Sequence, residues 1–178
     1  MTTSSDPAVP PPDDKDWTSV IVEGCAECGF IPSDDAHATG ATLRAMVPRW
    51  DEALQRPHAA DRPAPTTWSI VEYACHVRDV CALFRDRLVL MLDEDDARFA
   101  NWDQDATAIE QRYWEQDPAV VAHELAAEAA ATAALFDTVH GDQWERRGTR
   151  SNGSVFTVRT FATYFLHDVA HHLVDVDA

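Results

Sequence analysis

Basic residues are scarce in this chain of 178 residues, which has 14 lysines and arginines against 31 aspartates and glutamates. The formal net charge is therefore −17 at pH 7. Proteins that bind nucleic acid or an anionic membrane surface need a basic surface, so this composition argues against both functions. A chain of this length is most simply one domain that is large enough for a core of its own.

Long hydrophobic runs and cysteines are also few. No apolar run approaches the roughly 20 residues of a membrane span, and the Pro-, Ser- and Asp-rich segment 1–16 lacks the hydrophobic region of a signal peptide. We expect this segment to be a disordered tail, residues 17–178 to form the folded domain, and the protein to be cytoplasmic. The four cysteines are too few for a disulfide scaffold in a chain of this size.

Four long segments have the residue pattern of amphipathic helices. The clearest begins after Ser69, which stands three residues before Glu72 in the spacing of a capping box, and runs to about Leu92 with apolar residues every three or four positions. Pro48 predicts a kink or a break in the first segment. The predicted fold is all-α, a four-helix bundle with a long crossover over 93–116. The other three helices are predicted over 34–55, over 118–139 and from about 157 onward.

Residues 17–32, called here the N-terminal arm, contain Cys25 and Cys28 in a Cys-x2-Cys-Gly sequence that has the form of half a zinc knuckle. We expect the arm to be irregular or a short strand. A knuckle needs two further ligands, and no second Cys-x2-Cys exists in the sequence. Three interpretations therefore stay open: two reduced thiols in a packed arm, a redox pair, or a local metal site, separate from the one described next, that is completed by a histidine such as His37.

Two histidines of the last predicted helix, His167 and His171, stand four residues apart. That spacing places them on one helical face, about 40° apart around the axis, where two imidazoles can bind one metal ion. His76 is the candidate third ligand, and the alternative is that these histidines are core or solvated residues. Three imidazoles suit zinc, nickel or ferrous iron and leave open coordination positions. Asp168 and His172 form a second pair four residues apart.

The predicted crossover contains the sequence Phe99-Ala100-Asn101-Trp102-Asp103-Gln104-Asp105. Long connections in bundles are often functional, so Asn101 and Trp102 are candidates to line a pocket. The alternative is that Phe99 and Trp102 only pin the crossover to the core.

The chain resembles the DinB-type (DUF664-like) metalloproteins from Trp17 to Val176. The resemblance implies a four-helix bundle with one long crossover and a metal site whose ligands, carried over by motif, are His76, His167 and His171. The motifs that carry it are Asp16-Trp17, Cys25-x-Glu27-Cys28-Gly29-Phe30, Trp68-Ser69, Glu72-Tyr73-Ala74-Cys75-His76-Val77-Arg78-Asp79-Val80, the crossover sequence above, and Tyr164-Phe165-Leu166-His167-Asp168-Val169-x-His171-His172-Leu173.

Characterised relatives include mycothiol-dependent maleylpyruvate isomerase and bacillithiol or mycothiol S-transferases, in which the metal is thought to activate the thiol sulfur as a thiolate. The resemblance implies a metal-dependent transferase that joins a mycothiol-type thiol to an electrophile, with zinc as the expected metal and nickel or iron as alternatives. Asp79 or Asp168 would orient a ligand imidazole. A metal-binding protein without catalysis and a metal-dependent hydrolase are the alternative functions. Similar bundles are commonly homodimers.

Overall fold

The computed structural model describes residues 7–11 and 15–178. The predicted disordered tail falls in part on residues 1–6 and 12–14, which lie outside the described residues. The described elements, in chain order, are α1 Val20–Glu23, α2 Thr39–Leu54, α3 Ile70–Asp93, β1 Ala97–Phe99, α4 Gln104–Glu110, α5 Pro118–Asp137, β2 Arg147–Arg150, β3 Val155–Thr157 and α6 Val158–Asp175. Turns of 3₁₀ helix lie at Trp17–Ser19, Ala36–Ala38, Tyr113–Glu115 and Gly141–Glu145.

Four helices surround one hydrophobic core. α3 packs against α5 and α6, and α2 packs against the same two helices. Each contributes large side chains that are almost completely buried, among them Trp50, Leu88, Leu125 and Phe165. Burial of this kind supplies most of the stabilisation of a bundle, and the predicted four-helix bundle with a long crossover is the observed architecture.

Local capping signals fix the starts of the bundle helices. At α3 the capping box is complete, because Oγ of Ser69 accepts from the N–H of Glu72 at 3.3 Å and Oε2 of Glu72 accepts from the N–H of Ser69 at 2.8 Å. Asp117 caps α5 through the N–H of Ala119 at 2.8 Å. Thr157 caps α6. These caps satisfy amide groups that the helices themselves leave unpaired.

The first bundle helix differs from its prediction at its start. α2 begins at Thr39, because Asp35 caps a 3₁₀ turn that precedes it. The helix then runs through Pro48 without a break. Pro48 lies on the exposed face, where water can solvate the carbonyl that loses its helical partner.

A small sheet, which the sequence analysis did not predict, closes one end of the bundle. β1 pairs in parallel with β2, and β2 pairs antiparallel with β3. Gly148 in β2 is required by the packing, because a Cβ there would lie 2.7 Å from Cε1 of Phe99. The sheet holds the start of the crossover, and α4 follows it at Gln104.

Residues 17–23 of the N-terminal arm are helical where an irregular segment or a short strand was predicted, and residues 24–32 are irregular as predicted. A 3₁₀ turn at Trp17–Ser19 leads into α1, which contacts α6. Ile21 and Phe30 pack against the core, as expected from their apolar character. The arm therefore lies along the helix that carries the histidine pair.

One described helix, α5, is long and apolar enough to cross a membrane by length and composition alone. Alanine supplies much of that apolar character. In the fold α5 packs against α2 and α3, and core helices of globular domains meet the same two criteria.

Candidate metal centre

Two groups of potential metal ligands meet at α6, which contributes two residues to each group. In each group, the potential ligand atoms are all within 4.8 Å of one another. Within the part of the chain that the structure describes, these are the groups of three or more such side chains that meet this spacing. The arm group consists of Cys25, Cys28, His167 and His171, and the core group of His76, Asp168 and His172.

Helix geometry explains why α6 serves both groups. His167 and His171 are four residues apart, and so are Asp168 and His172, so each pair shares a face. The two pairs are offset by one residue, which turns them about 100° apart around the axis. One face therefore meets the N-terminal arm, and the other meets His76 on α3.

The core group has the spacing of a coordination sphere. Nε2 of His76 lies 3.3 Å from Oδ1 of Asp168, and Nε2 of His172 lies 3.8 Å from the same oxygen. Tetrahedral coordination at usual metal–ligand lengths separates neighbouring donors by roughly 3.3–3.8 Å. The donors thus fit one divalent cation without rearrangement of the backbone.

Unpaired buried atoms give an independent test of that fit. His76 is 1% exposed, and neither of its ring nitrogens has a hydrogen-bond partner among the described residues. Oδ1 of Asp168 is buried and unpaired by the same criterion, since its approach to His76 is not aligned as a hydrogen bond. Leaving such atoms without a partner costs about 1–3 kcal/mol each. A bound cation would satisfy Nε2 of His76 and Oδ1 of Asp168 at once.

The protonation states at the core group also suit a cation. Burial lowers the pKa of His76, so its imidazole is neutral at pH 7. Burial opposes ionisation of Asp168, but its contact with His76 and the neighbouring histidines hold the pKa of this carboxyl below its usual range. Neutral imidazole and ionised carboxylate are the forms that coordinate metals.

Surrounding side chains hold the donors of the core group in place. Nδ1 of His172 lies 2.7 Å from Oδ2 of Asp175, which directs Nε2 of the ring toward Asp168. The indole of Trp102 stacks on His76 with ring centroids 5.3 Å apart and an interplanar angle of 18°. The ring of Tyr73 lies 5.2 Å from that of His172, and burial, with Asp175 and Glu72 nearby, raises the pKa of Tyr73 to about 12.

The arm group joins the two cysteines to the first histidine pair. Sγ of Cys25 lies 3.7 Å from Nδ1 of His171, and both cysteines are free thiols. Burial, with the neighbouring charge of His171, lowers the pKa of His167 to about 4. Burial likewise raises the pKa of the Cys28 thiol.

The structure divides the predicted ligand set of His76, His167 and His171 between the two groups. The reason is the rotation of α6, which directs His171 to the arm and the adjacent His172 to α3. Asp168, expected to orient an imidazole, stands in the core group as a potential ligand. His172 and Asp175 had no predicted role. The four-residue spacing of Asp168 and His172 was the available sequence signal for His172.

The other candidates occupy different positions. Asp79 accepts from the hydroxyl of Tyr113 at 2.5 Å and pairs with Arg78, so it is engaged away from the donor groups. Asn101 is exposed and its backbone N–H donates to Oγ of Ser151. His37, offered as a partner for the cysteines, packs on Trp144 instead.

The chain is similar to a known family over a region that includes α3 and α6, the two helices that carry the candidate histidine ligands. Residues 58–175 match the model of the DinB superfamily. Among solved structures, the chain is similar to YfiT from Bacillus subtilis, with 18% sequence identity and a TM-score of 0.72 over 84% of this chain and 87% of that one. YfiT is described as a probable metal-dependent hydrolase with an unusual four-helix bundle topology. No curated protein sequence matches the chain.

Proposed function

The chain belongs to the DinB superfamily, and from that membership and the geometry of the core group we propose that it is a metal-dependent transferase. His76, Asp168 and His172 would hold one divalent metal ion, with zinc the expected metal and nickel or iron the alternatives. The co-substrate would be a low-molecular-weight thiol of the mycothiol type, and the acceptor a small electrophile. The observation that carries the proposal is that both ring nitrogens of His76 and Oδ1 of Asp168 are buried without a hydrogen-bond partner among the described residues, within reach of His172.

Three protein donors suit a catalytic metal better than a structural one. Structural zinc sites are closed by four protein ligands, whereas catalytic sites use three and leave a position for water or substrate. The core group has three donors, two imidazoles and one carboxylate. A metal bound there would lower the pKa of a coordinated thiol toward neutrality.

The protein side chains around the core group favour a thiol as the nucleophile. Attack by water usually needs a general base, but Asp168 belongs to the donor set and Asp175 is engaged with His172. A metal-bound thiol would release its proton to solvent water before the attack, so the thiolate would need no such base during the attack. The sulfur would then form a bond to the electrophilic carbon, and the leaving group would depart with the electron pair of the bond that breaks.

Aromatic side chains would shape the space in which the thiol and the electrophile meet. Trp102 comes from the crossover and stacks on His76, and the ring of Trp68 lies 5.6 Å from the same imidazole. These rings limit the access of water to His76, which strengthens electrostatic interactions at the donors. The crossover would thereby contribute to substrate selection.

The test combines metal analysis with thiol conjugation. Zinc-loaded protein, mycothiol and a bimane electrophile should give conjugate, and His172→Ala and Asp168→Asn should lose the core-group metal and reduce the rate by at least about 100-fold. His58→Ala is the matched control, because the side chain of His58 is 85% exposed. Conjugation at the wild-type rate in His172→Ala would overturn the proposal.

Hydrolysis is the second candidate, and the donor set favours it. Two histidines with one carboxylate form the zinc site of several hydrolases, and YfiT, which shares the fold, is described as a probable metal-dependent hydrolase. This function would appear as ester or amide turnover in the absence of any thiol. It would depend on His172 in the same way, so the requirement for thiol separates the two candidates.

A further inference from the structure

The arm group differs from the core group in the number and kind of its donors. It offers two thiols and two imidazoles, whereas the core group offers no sulfur. Four protein donors of this type complete a tetrahedral zinc site and leave no position for substrate. The two cysteines lie outside the residues that match the family model, 58–175, whereas His167 and His171 lie within them.

The backbone of the arm is built to present both thiols together. The N–H of Cys25 donates to the carbonyl of Phe30 at 2.9 Å, and the N–H of Gly29 donates to the carbonyl of Cys25 at 2.8 Å. Gly24 and Gly29 adopt positive φ angles of 72° and 75°, which residues with a side chain rarely adopt. The result is a tight turn around the Cys-x2-Cys sequence, as in a zinc knuckle.

Burial of polar atoms in the arm group costs folding free energy unless a ligand binds them. Cys25 is 6% exposed and His167 is 3% exposed. Nε2 of His167 is buried and has no hydrogen-bond partner among the described residues. The rings of Trp17 and Phe30 pack on His167, with centroids 5.3 and 5.4 Å away. A polar nitrogen enclosed by aromatic rings indicates a ligand that the nitrogen would bind.

We propose that Cys25, Cys28, His167 and His171 bind a zinc ion that fastens the N-terminal arm to α6. The distance from Sγ of Cys25 to Nδ1 of His171, 3.7 Å, matches the roughly 3.6 Å between sulfur and nitrogen in a tetrahedral zinc site. The thiols lose their protons on binding. The ion holds together segments from opposite ends of the chain, so its role is structural.

The zinc ion also supports the core group through Asp175. Oδ1 of Asp175 lies 3.9 Å from Nε2 of His171, while Oδ2 lies 2.7 Å from Nδ1 of His172. One carboxylate therefore stands between a histidine of each group. Fixing His171 in the arm group restrains this carboxylate, and with it the orientation of His172.

Cobalt substitution tests the proposal without any activity assay. Co²⁺ coordinated by thiolates gives an intense charge-transfer absorption in the near ultraviolet, which nitrogen and oxygen donors do not give. Wild-type protein loaded with Co²⁺ should show this band and bind about two metal ions per chain. Cys28→Ser and His171→Ala should lose the band and about one metal ion, and the arm should become sensitive to limited proteolysis.

Matched variants separate this site from the core group. Cys81→Ala removes a buried thiol that belongs to neither group, and it should keep the band and both ions. His172→Ala should keep the band and lose the other ion, so failure of the core group would not affect the result. A wild-type cobalt protein without the thiolate band would overturn the proposal, even if Cys28→Ser fails to fold. Retention of the band in a folded Cys28→Ser variant would overturn it as well.

Discussion

Adjacent histidines can serve different sites when a helix turns between them. His171 and His172 differ by one position, yet the first lies near Cys25 and the second near His76. Their second ring nitrogens converge again on Asp175. The side-chain carboxylate of Asp175 thus lies close to a histidine of each donor group.

Replacement of this carboxylate should weaken metal binding without removing a ligand. Asp175→Asn keeps the size of the side chain but lowers the basicity and order of the His172 ring, so metal affinity at the core group should fall by about 10–100-fold. Competition with a chelating dye would measure it. Asp177→Asn, two residues later and exposed, should leave the affinity unchanged. Equal affinities in the two variants would contradict the role given to Asp175.

The buried carboxylate of Glu72 links helix capping to an ion pair. Glu72 is 1% exposed and accepts from Nε of Arg62 at 2.9 Å as well as from Ser69. Glu72→Gln removes the charge that pairs with Arg62, which then keeps its hydrogen bonds to backbone carbonyls such as that of Pro65. The loss of the ion pair should lower the free energy of unfolding by about 2–3 kcal/mol. Urea denaturation would measure the loss, and Glu52→Gln on the exposed face of α2 is the control. A loss as small as that of the control would refute the account.

At the scale of elements, the sequence predicts the helix starts, because these depend on capping residues close by in the chain. The capping box at Ser69, the helix start at Pro118 and the start of α6 near Thr157 are all found in the structure. Strands of three or four residues carry too little periodicity to be recognised, so the sheet was missed. The helical start of the arm was not predicted for the same reason, because α1 spans only four residues.

The division of the candidate histidine ligands between the core group and the arm group could not be predicted from local sequence. Spacing correctly indicates that His167 and His171 share a face, but not which neighbour that face meets. That choice depends on the rotation of α6 about its axis and on the path of an arm that is distant in sequence. Both are set by packing of the whole core, through residues such as Phe165 and Leu173.

Close approach of α2 and α5 depends on a glycine. A Cβ at Gly40 would meet the side chain of Asp137 and lie 2.8 Å from the carbonyl oxygen of Ala133. Gly40→Ala gains about 1 kcal/mol of helix propensity but overpacks the contact at a cost of about 1–3 kcal/mol, so we expect a net loss of up to about 2 kcal/mol in the free energy of urea unfolding. The double variant with Asp137→Ala should recover only part of it, since the carbonyl remains. Full recovery would show that the backbone contact is unimportant.

At the scale of the molecule, the bundle brings two groups of candidate metal ligands together in an acidic protein. The net charge of −17 favours accumulation of cations near the surface. The core group joins α3 to α6, and the arm group joins the N-terminal arm to the same helix. Two metal ions would therefore connect the arm, the second bundle helix and the fourth. A homodimer and a cytoplasmic location stay predictions of the sequence.

The anomalous-difference map of crystals grown from zinc-loaded protein tests the central claim most directly. We predict two peaks per chain, one among His76, Asp168 and His172 and the other among Cys25, Cys28, His167 and His171. A single peak surrounded by His76, His167 and His171 would contradict the division of the two groups. The absence of any peak at the core group would contradict the proposed function.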